Sequence, residues 1–589
     1  MRARPLLDAR VSVPEAIVRV LEEAGVGAVF GMSGGNTGRI FAALADHRAS
    51  IRTVLVRHEA LATSAAESYA RVSGRPGVAI GQGSWLLGHG VVGTLEALLA
   101  GTPLVLLSDL SDGSPFSHHA PYQSGTGEYG SWDARRAFGG ITKFVMEPHE
   151  AVQAVQSTQL AFKHARAGQP GPVALLFHSA SLTGEVGPES VPRLYATDPY
   201  LAASVPAVPD MSSVAQALRD AERPVLLAGG GVRSAGAQRE LQKVALLSAA
   251  PVVTTAAGKG CFAEDHALAA GVFGNFGAPL ANDVLAHADT VLVIGSKLGP
   301  SDTANEHPNL LDPARQRIMQ IDVEPRNASW TFPADAVVIA DAQTALAALA
   351  ADLGDRRVDR TTLERRRTAL AGLRKTCQTA SHADSDAAPL HPQRVIADLR
   401  RVLPDGAIVS ADAGENRLLM CRYFETRHPG VYLQSAAAGG MGYAIPAALG
   451  AKVCHADRVV VAVCGDGGLG MSLAGLLSAV EERIPITVVV LNNRALGWSM
   501  HGQRDRREPE FKTALGDFNY AEIATAIGAE GFRVRTPDEL VPALQRATTS
   551  GKVAVVDVET SMAETFVDLR SPLMTAATRT ISTAPTPKP

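Results

Sequence analysis

Two residues in the segment "GDGGLGMSLAGLLSAVEERIPITVVVLNNRALG" (465–497) offer the most specific chemistry in the chain. Asp466 lies between glycines at the end of the apolar run "RVVVAVC", and Asn493 closes the run "ITVVVLNN" 27 residues later. A helical stretch, "MSLAGLLSAVEER", separates them, so the unit reads as strand, helix, parallel strand. In an open parallel sheet, ligands bind beyond the carboxyl ends of the strands, and both side chains emerge on that edge. A carboxylate with an amide oxygen is oxygen-only ligation, suited to Mg²⁺ or Ca²⁺. Gly465, Gly467 and Gly468 let a phosphate approach the backbone N–H groups at the start of the following helix. The pair reads as an anchor for a metal-bound diphosphate.

Such an anchor needs parallel sheets to hold it, and the chain has the pattern throughout. Short apolar runs alternate with helical stretches, which predicts α/β architecture with parallel sheets covered by helices. Three domains are expected, each a mostly parallel sheet flanked by helices. The first, residues 1–185, holds "TVLVRHE", "PGVAIGQG", "TPLVLLSDL" and "GPVALLFHSA". After the Pro-containing stretch "GPESVPRLYATDPYLAASVPAVPD", read as a linker, a central Rossmann-like block spans 205–350. The third spans 388–570, and 571–589 is expected to be a disordered tail. The first and third blocks are similar in length and pattern, which suggests a duplicated fold.

Composition narrows the function classes. The 589 residues are 46% hydrophobic and 19% charged, with a net charge of −4, values of a globular protein with no electrostatic case for nucleic acid or anionic membrane. No apolar run reaches the roughly 18 residues a membrane span needs. The start, "MRARPLLDARVSVPEAIVRVLEEAG", has no apolar leader, and five scattered cysteines show no CxxC pair, so a reducing cytoplasm is the expected location.

The Gly-Asp-Gly and Asn-Asn units at this spacing resemble the diphosphate-binding signature of thiamine diphosphate enzymes. The resemblance implies Mg²⁺ ligation by Asp466, Asn493 and the backbone carbonyl of Ala495. It further implies a carboxyl group from the other domain that drives the cofactor's pyrimidine to its reactive tautomer, and Glu59 in "VLVRHEALATSAAESYARVSG" takes that place. "AAAGGMGYAIPAALGA" resembles the segment that bends the cofactor and nominates Met441, while Glu415 in "GAIVSADAGEN" joins the cofactor-binding set. The order pyrimidine-binding, central, diphosphate-binding is that of the acetolactate synthase and pyruvate oxidase branch. It implies at least a homodimer, with tetramers common, in which Glu59 of one protomer faces the diphosphate site of another. The central domain of this branch can hold FAD; "PVLLAGGGVRSAG" lacks a clean GxGxxG, and Lys297 stands where flavin binders often carry Arg.

The substrate pocket departs from that pattern. Tyr129 and Gly130 occupy the places of a Phe-Gln pair, and "LGWSMHGQ" puts Ser499, Met500 and Gly502 where acetolactate synthases carry Val, Arg and Trp. Trp498 and Gln503 are left to shape the pocket. His118 and His119 in "SPFSHHAPYQ" match a proton-relaying pair of the decarboxylases, but the two relay carboxylates are replaced by Gly35 and Ser499. The expected activity is a thiamine diphosphate- and Mg²⁺-dependent carboligase acting on a 2-oxo acid, pyruvate first, and an acceptor carbonyl. The alternative is a non-oxidative decarboxylase or C–C lyase. Two further readings are a nucleotide-dependent oxidoreductase built on the central domain and a catalytically silent binding subunit.

Overall fold

The computed structural model describes residues 4–112, 123–201, 207–377 and 381–573. Three six-stranded sheets, each wholly parallel, carry the fold. The first contains Ala28–Gly31, Arg52–Leu55, Gly77–Ile80, Leu104–Leu110, Phe144–Met146 and Pro172–His178; numbered along the chain, they lie in the order 2-1-3-4-6-5. The third contains Ile408–Ala411, Tyr432–Gln434, Val460–Gly465, Thr487–Asn492, Glu530–Val534 and Ala554–Glu559, again in the order 2-1-3-4-6-5. The first and third blocks are therefore the same fold, as their similar patterns suggest. The middle sheet, from Pro224–Ala228 to Ala336–Ile339, has the order 3-2-1-4-5-6, the doubly wound dinucleotide-fold order. Central strands such as Leu104–Leu110 and Thr487–Asn492 are buried along their whole length because helices cover both faces.

One helix, Glu59–Ser73, joins the outer domains. His58 caps its start by accepting from the Ala60 N–H, and Gly74 ends it in a left-handed conformation (φ +68°). Its Ala62, Ala65 and Ala66 pack against Ala444, Ala447, Ala448 and Ala451 of the helix Ala444–Cys454 in one shared core. Gly450 permits that approach, since any side chain there would run into Ala65 and Ser68.

A buried knot of charge closes the same interface. The Arg71 guanidinium pairs with Glu67 and, at 2.6 Å, with Glu96, and donates to the Gln434 carbonyl at 2.9 Å. Tyr443 donates to Glu67 at 2.8 Å, and Glu96 accepts from Ser435 Oγ and the Ala438 N–H. Two carboxylates share one guanidinium. Burial lifts the Glu67 carboxyl above its usual range, whereas Arg71 and the Ala438 N–H overcome burial at Glu96 and hold it low.

The structure corrects several sequence expectations. The glycine loop after Asp466 is itself the first helical turn: helices span Asp466–Ser472 and Ala474–Glu481, five residues earlier than the apolar periodicity indicates. The stretch read as a linker packs back on the first domain. Leu194 and Ala196 hydrogen-bond to Leu6 and Arg4, and the Thr197 N–H reaches Glu23 at 2.5 Å. The supposed tail begins ordered, since the Ser571 N–H bonds to the Asn275 carbonyl at 2.8 Å; residues 574–589 lie outside the described set.

Replacing Arg71 with Met would leave two carboxylates without their cation in this core. The expected loss is about 3–5 kcal/mol of stability in urea denaturation near neutral pH. A loss below about 1 kcal/mol would show that the knot does not hold the outer domains together.

Candidate active site

The carboxyl ends of three adjacent strands, Ile408–Ala411, Val460–Gly465 and Thr487–Asn492, meet at the point where the third sheet's strand order reverses. Asp412, Asp466 and Asn493 leave from them. Asp466 is buried (2% exposed), and neither of its oxygens has a hydrogen-bond partner among the described residues. Burial pushes its carboxyl up to about 6, with Asp557 adding to the effect. A desolvated carboxylate without a hydrogen-bond partner is costly, and a cation would relieve that cost. Asn493 and Ala495 follow the end of the adjacent strand, and their oxygens with Asp466 are hard donors of the kind that fits Mg²⁺. Asn493 Oδ1 accepts from the Ala495 N–H at 3.2 Å, Arg494 takes φ +56°, and Leu496 and Leu515 tie this loop to its neighbour segment at 2.8 Å.

Met441 is brought to the same place. A methyl group on Gly467 would lie 3.2 Å from Met441 Cε, so the thioether tip rests beside the residue that follows Asp466. The turn carrying Met441 is fixed by buried Asp412, which accepts from the N–H groups of Ala413, Gly442 and Ala444 at 2.8–3.0 Å. Asp412 escaped the sequence reading although it ends a strand as Asp466 does. Glu415 Oε1 is committed to His501 Nδ1 at 2.6 Å and to the Phe566 N–H at 2.9 Å, and a methyl on Gly497 would meet its Oε2.

Glu59 opens its helix, buried, with Oε2 3.0 Å from His89 Nδ1. His89 stacks on His58 at 4.5 Å and lies alongside Trp85. The "QGSWLLGHG" segment thus supplies an imidazole to the carboxylate, a contact that no local spacing announces.

A second cavity of about 520 Å³ gathers Trp498, Ser499, Gly502 and Gln503 with Arg506, Phe276, Phe566 and Arg570. Trp498 stacks on Phe566 (4.6 Å, 18°), and Phe276 meets Trp498 edge-on at 5.5 Å. Gln503 is less free than its type suggests, because its amide exchanges hydrogen bonds with the Phe511 backbone. Space beside Gly502 is bounded by the Arg506 guanidinium, 3.2 Å from where a methyl would stand. The other sequence-derived pocket residues are not brought here within one chain. Gly35 (φ +54°) lies in a turn where a methyl would be 2.5 Å from Asp109 Oδ2, so the turn itself dictates glycine. Tyr129 is fully exposed and Gly130 (φ +86°) has open space around it. His118 and His119 lie outside the described residues.

The middle sheet opens on a larger cavity, about 990 Å³, between its carboxyl edge and the first domain. Gly230, Gly231 and Gly295 line it, together with Arg233, Asp322 and Lys297, whose ammonium sits over the Trp330 ring at 5.4 Å. Gly231 and Gly295 pack too closely for side chains, and their N–H groups donate to the Gly295 and Ile321 carbonyls at 3.0 and 2.9 Å.

Comparison with known proteins agrees with this arrangement. Family models described as thiamine pyrophosphate enzyme N-terminal TPP binding domain, central domain and C-terminal TPP binding domain match residues 11–124, 211–349 and 412–558. A protein of Methanocaldococcus jannaschii described as a probable acetolactate synthase large subunit is 31% identical over 93% of this chain and 92% of its own length. The chain belongs to the thiamine pyrophosphate enzyme family. Among its relatives, the acetolactate synthase large subunit of Corynebacterium glutamicum is 29% identical over 93% of this chain and 86% of its own. The sulfoacetaldehyde acetyltransferase of Alcaligenes xylosoxydans xylosoxydans is 29% identical over 93% of each. This thiamine pyrophosphate enzyme thus falls in the acetolactate synthase-like branch, and no described helix is long and apolar enough to cross a membrane.

A carboxyl whose folded-state pKa lies above its ordinary 3.8 binds its proton more tightly when folded. Its contribution to stability is present at low pH and is lost as pH rises through about 4 to 6. Asp466→Asn is therefore expected to stabilise the metal-free enzyme at about pH 8, by up to about 3 kcal/mol, with the gain fading near pH 4. Thermal unfolding at both pH values is the measurement. An equal effect at the two would show that the carboxylate is not desolvated.

Proposed function

We propose that this thiamine pyrophosphate enzyme is a Mg²⁺-dependent carboligase that decarboxylates a 2-oxo acid, pyruvate first among them, and passes the remaining acyl unit to an acceptor carbonyl. The observation that carries the reading is the buried, partnerless carboxylate of Asp466 beside Asn493 and the Ala495 loop. Those three residues would hold Mg²⁺ and, through it, the diphosphate, with the N–H groups of Gly467 and Gly468 facing the phosphate oxygens. Thiamine diphosphate held there would supply the nucleophilic, electron-accepting carbon that decarboxylation of a 2-oxo acid needs.

The chain's own residues do the rest. Glu59, buried and held beside His89, is the group placed to exchange a proton with the cofactor's pyrimidine ring. Met441, beside Gly467, would support the cofactor. The Phe276, Trp498 and Phe566 rings give the cavity proposed for the acceptor an apolar wall, which favours bond formation to a second carbonyl over protonation. Gly35 and Ser499 offer no carboxylate to deliver that proton. Glu59 and Asp466 belong to different domains, and the reading places Glu59 of one protomer against the diphosphate site of its partner, in a homodimer or tetramer. The glycine-lined cavity of the middle sheet fits a dinucleotide such as FAD, and a cytoplasmic enzyme is the setting proposed.

Two measurements test this. Incubation with pyruvate, Mg²⁺ and thiamine diphosphate, with and without aldehyde, ketone and 2-oxo acid acceptors, is expected to give ligation products whose yield rises with acceptor. Acetaldehyde as the main product throughout would overturn the carboligase in favour of a decarboxylase; the absorbance of released cofactor shows whether flavin is bound. Glu59→Gln keeps the shape but not the proton exchange, so calorimetry should find cofactor binding within a few-fold of wild type while turnover falls by 10²-fold or more. Unchanged turnover would remove Glu59 from its role.

A further inference from the structure

At the far side of the first sheet from Glu59, two neighbouring strands end together. Phe144–Met146 and Pro172–His178 are hydrogen-bonded partners, and Glu147, His149 and His178 leave from their carboxyl ends. One ligand-type atom from each of these three side chains lies within 4.8 Å of the others. Glu147 Oε1 is 2.9 Å from His178 Nε2, and the His149 and His178 rings stack with centroids 4.0 Å apart. We propose that Glu147, His149 and His178 form a binding site for a single divalent transition-metal ion of the zinc type.

The supports around the three side chains are those a metal site uses. His178 is buried at the end of its strand, with the backbone of Asp112 beside its ring and Nε2 directed toward Glu147. A backbone group placed so beside a ligating imidazole is the kind of neighbour that orients it. Ser179 Oγ donates to the same Asp112 carbonyl, and the His149 N–H donates to Gln153 Oε1 at 3.1 Å, so the loop bearing the second imidazole is held as well. The positive group closest to the cluster is the exposed Arg135 guanidinium, 3.9 Å from Glu147 Oε2.

The ion pair accounts for Glu147 and His178 and leaves the exposed His149 imidazole with ring stacking alone. A shared cation would engage all three, since their ligand-type atoms already lie within 4.8 Å of one another. Two imidazoles and one carboxylate are the donors of zinc sites that keep a fourth position open, and exposed His149 leaves that position to solvent. The donor set also separates this site from Asp466 and Asn493, whose oxygens suit Mg²⁺. With metal bound, the edge strand Phe144–Met146 would be clamped to its neighbour Pro172–His178.

The test uses the full-length protein, dialysed against EDTA and titrated with Co²⁺. The visible bands of four-coordinate Co²⁺ are expected to saturate at one equivalent per chain and to be displaced by Zn²⁺. His149→Ala should weaken Co²⁺ binding at least 10-fold while keeping the wild-type unfolding midpoint in EDTA, because the side chain is exposed. His89→Ala serves as the contrast, since His58, Glu59 and His89 also stand close enough to share an ion; it should leave the bands unchanged. Wild-type titration without such bands, or bands that survive His149→Ala, or bands lost in His89→Ala, would each overturn the assignment.

Discussion

Everything in this molecule depends on how the helix Glu59–Ser73 is pressed onto Ala444–Cys454. Small side chains let the two backbones approach, and the knot of Arg71, Glu67, Glu96 and Tyr443 locks the contact at one end. Such a knot is poor glue by itself, because desolvating three charged groups consumes most of what their attraction returns. Its value lies in specificity: only one register of the two helices pairs every group. Glu59 begins one helix and the Met441 turn leads into the other, so the same register fixes where both present themselves.

Against this satisfied interface stands a site left unsatisfied. Buried carboxylates elsewhere in the third domain are supplied with donors: Asp412 has three backbone N–H groups, and Asp557 has Arg533, Asn492 and the Tyr520 N–H. Asp466, on the neighbouring strand end, has none. The contrast within one sheet edge is a local violation of the rule that buried polar groups find partners, and such violations concentrate where a protein reserves valence for a ligand.

How much of this was legible in the sequence follows from what is local. Asp466 and Asn493 could be read because one strand-helix-strand unit fixes their separation and both ends carry strong apolar runs. The central strands could be read for the same reason. Tyr432–Gln434, Phe144–Met146 and Ala269–Val272 were not, because edge strands are short; Glu530–Val534 is moreover half-exposed, so it lacks a continuous apolar run. Trp498, Ser499 and Gln503 were legible as neighbours of the metal loop, yet their cavity was not, since Phe276 and Phe566 arrive from other parts of the chain. Gly35 carries a constraint that its neighbours in sequence do not announce: its turn over Asp109 leaves no room for a side chain.

The aromatic-lined cavity has a temporal side as well. Its walls come from residues 275–276, 498–506 and 566–570, three segments that a ribosome delivers at widely separated moments. Phe276 emerges with the middle domain, which can fold as soon as its own sheet is complete. It must then present an uncovered aromatic face until Trp498 and later Phe566 are synthesised and stack against it. A nascent chain therefore passes through a stage with three folded sheets in the making and no aromatic wall, and the stack is among the last contacts to form. Completion of that stack is thus a sign that synthesis and domain docking have both been completed.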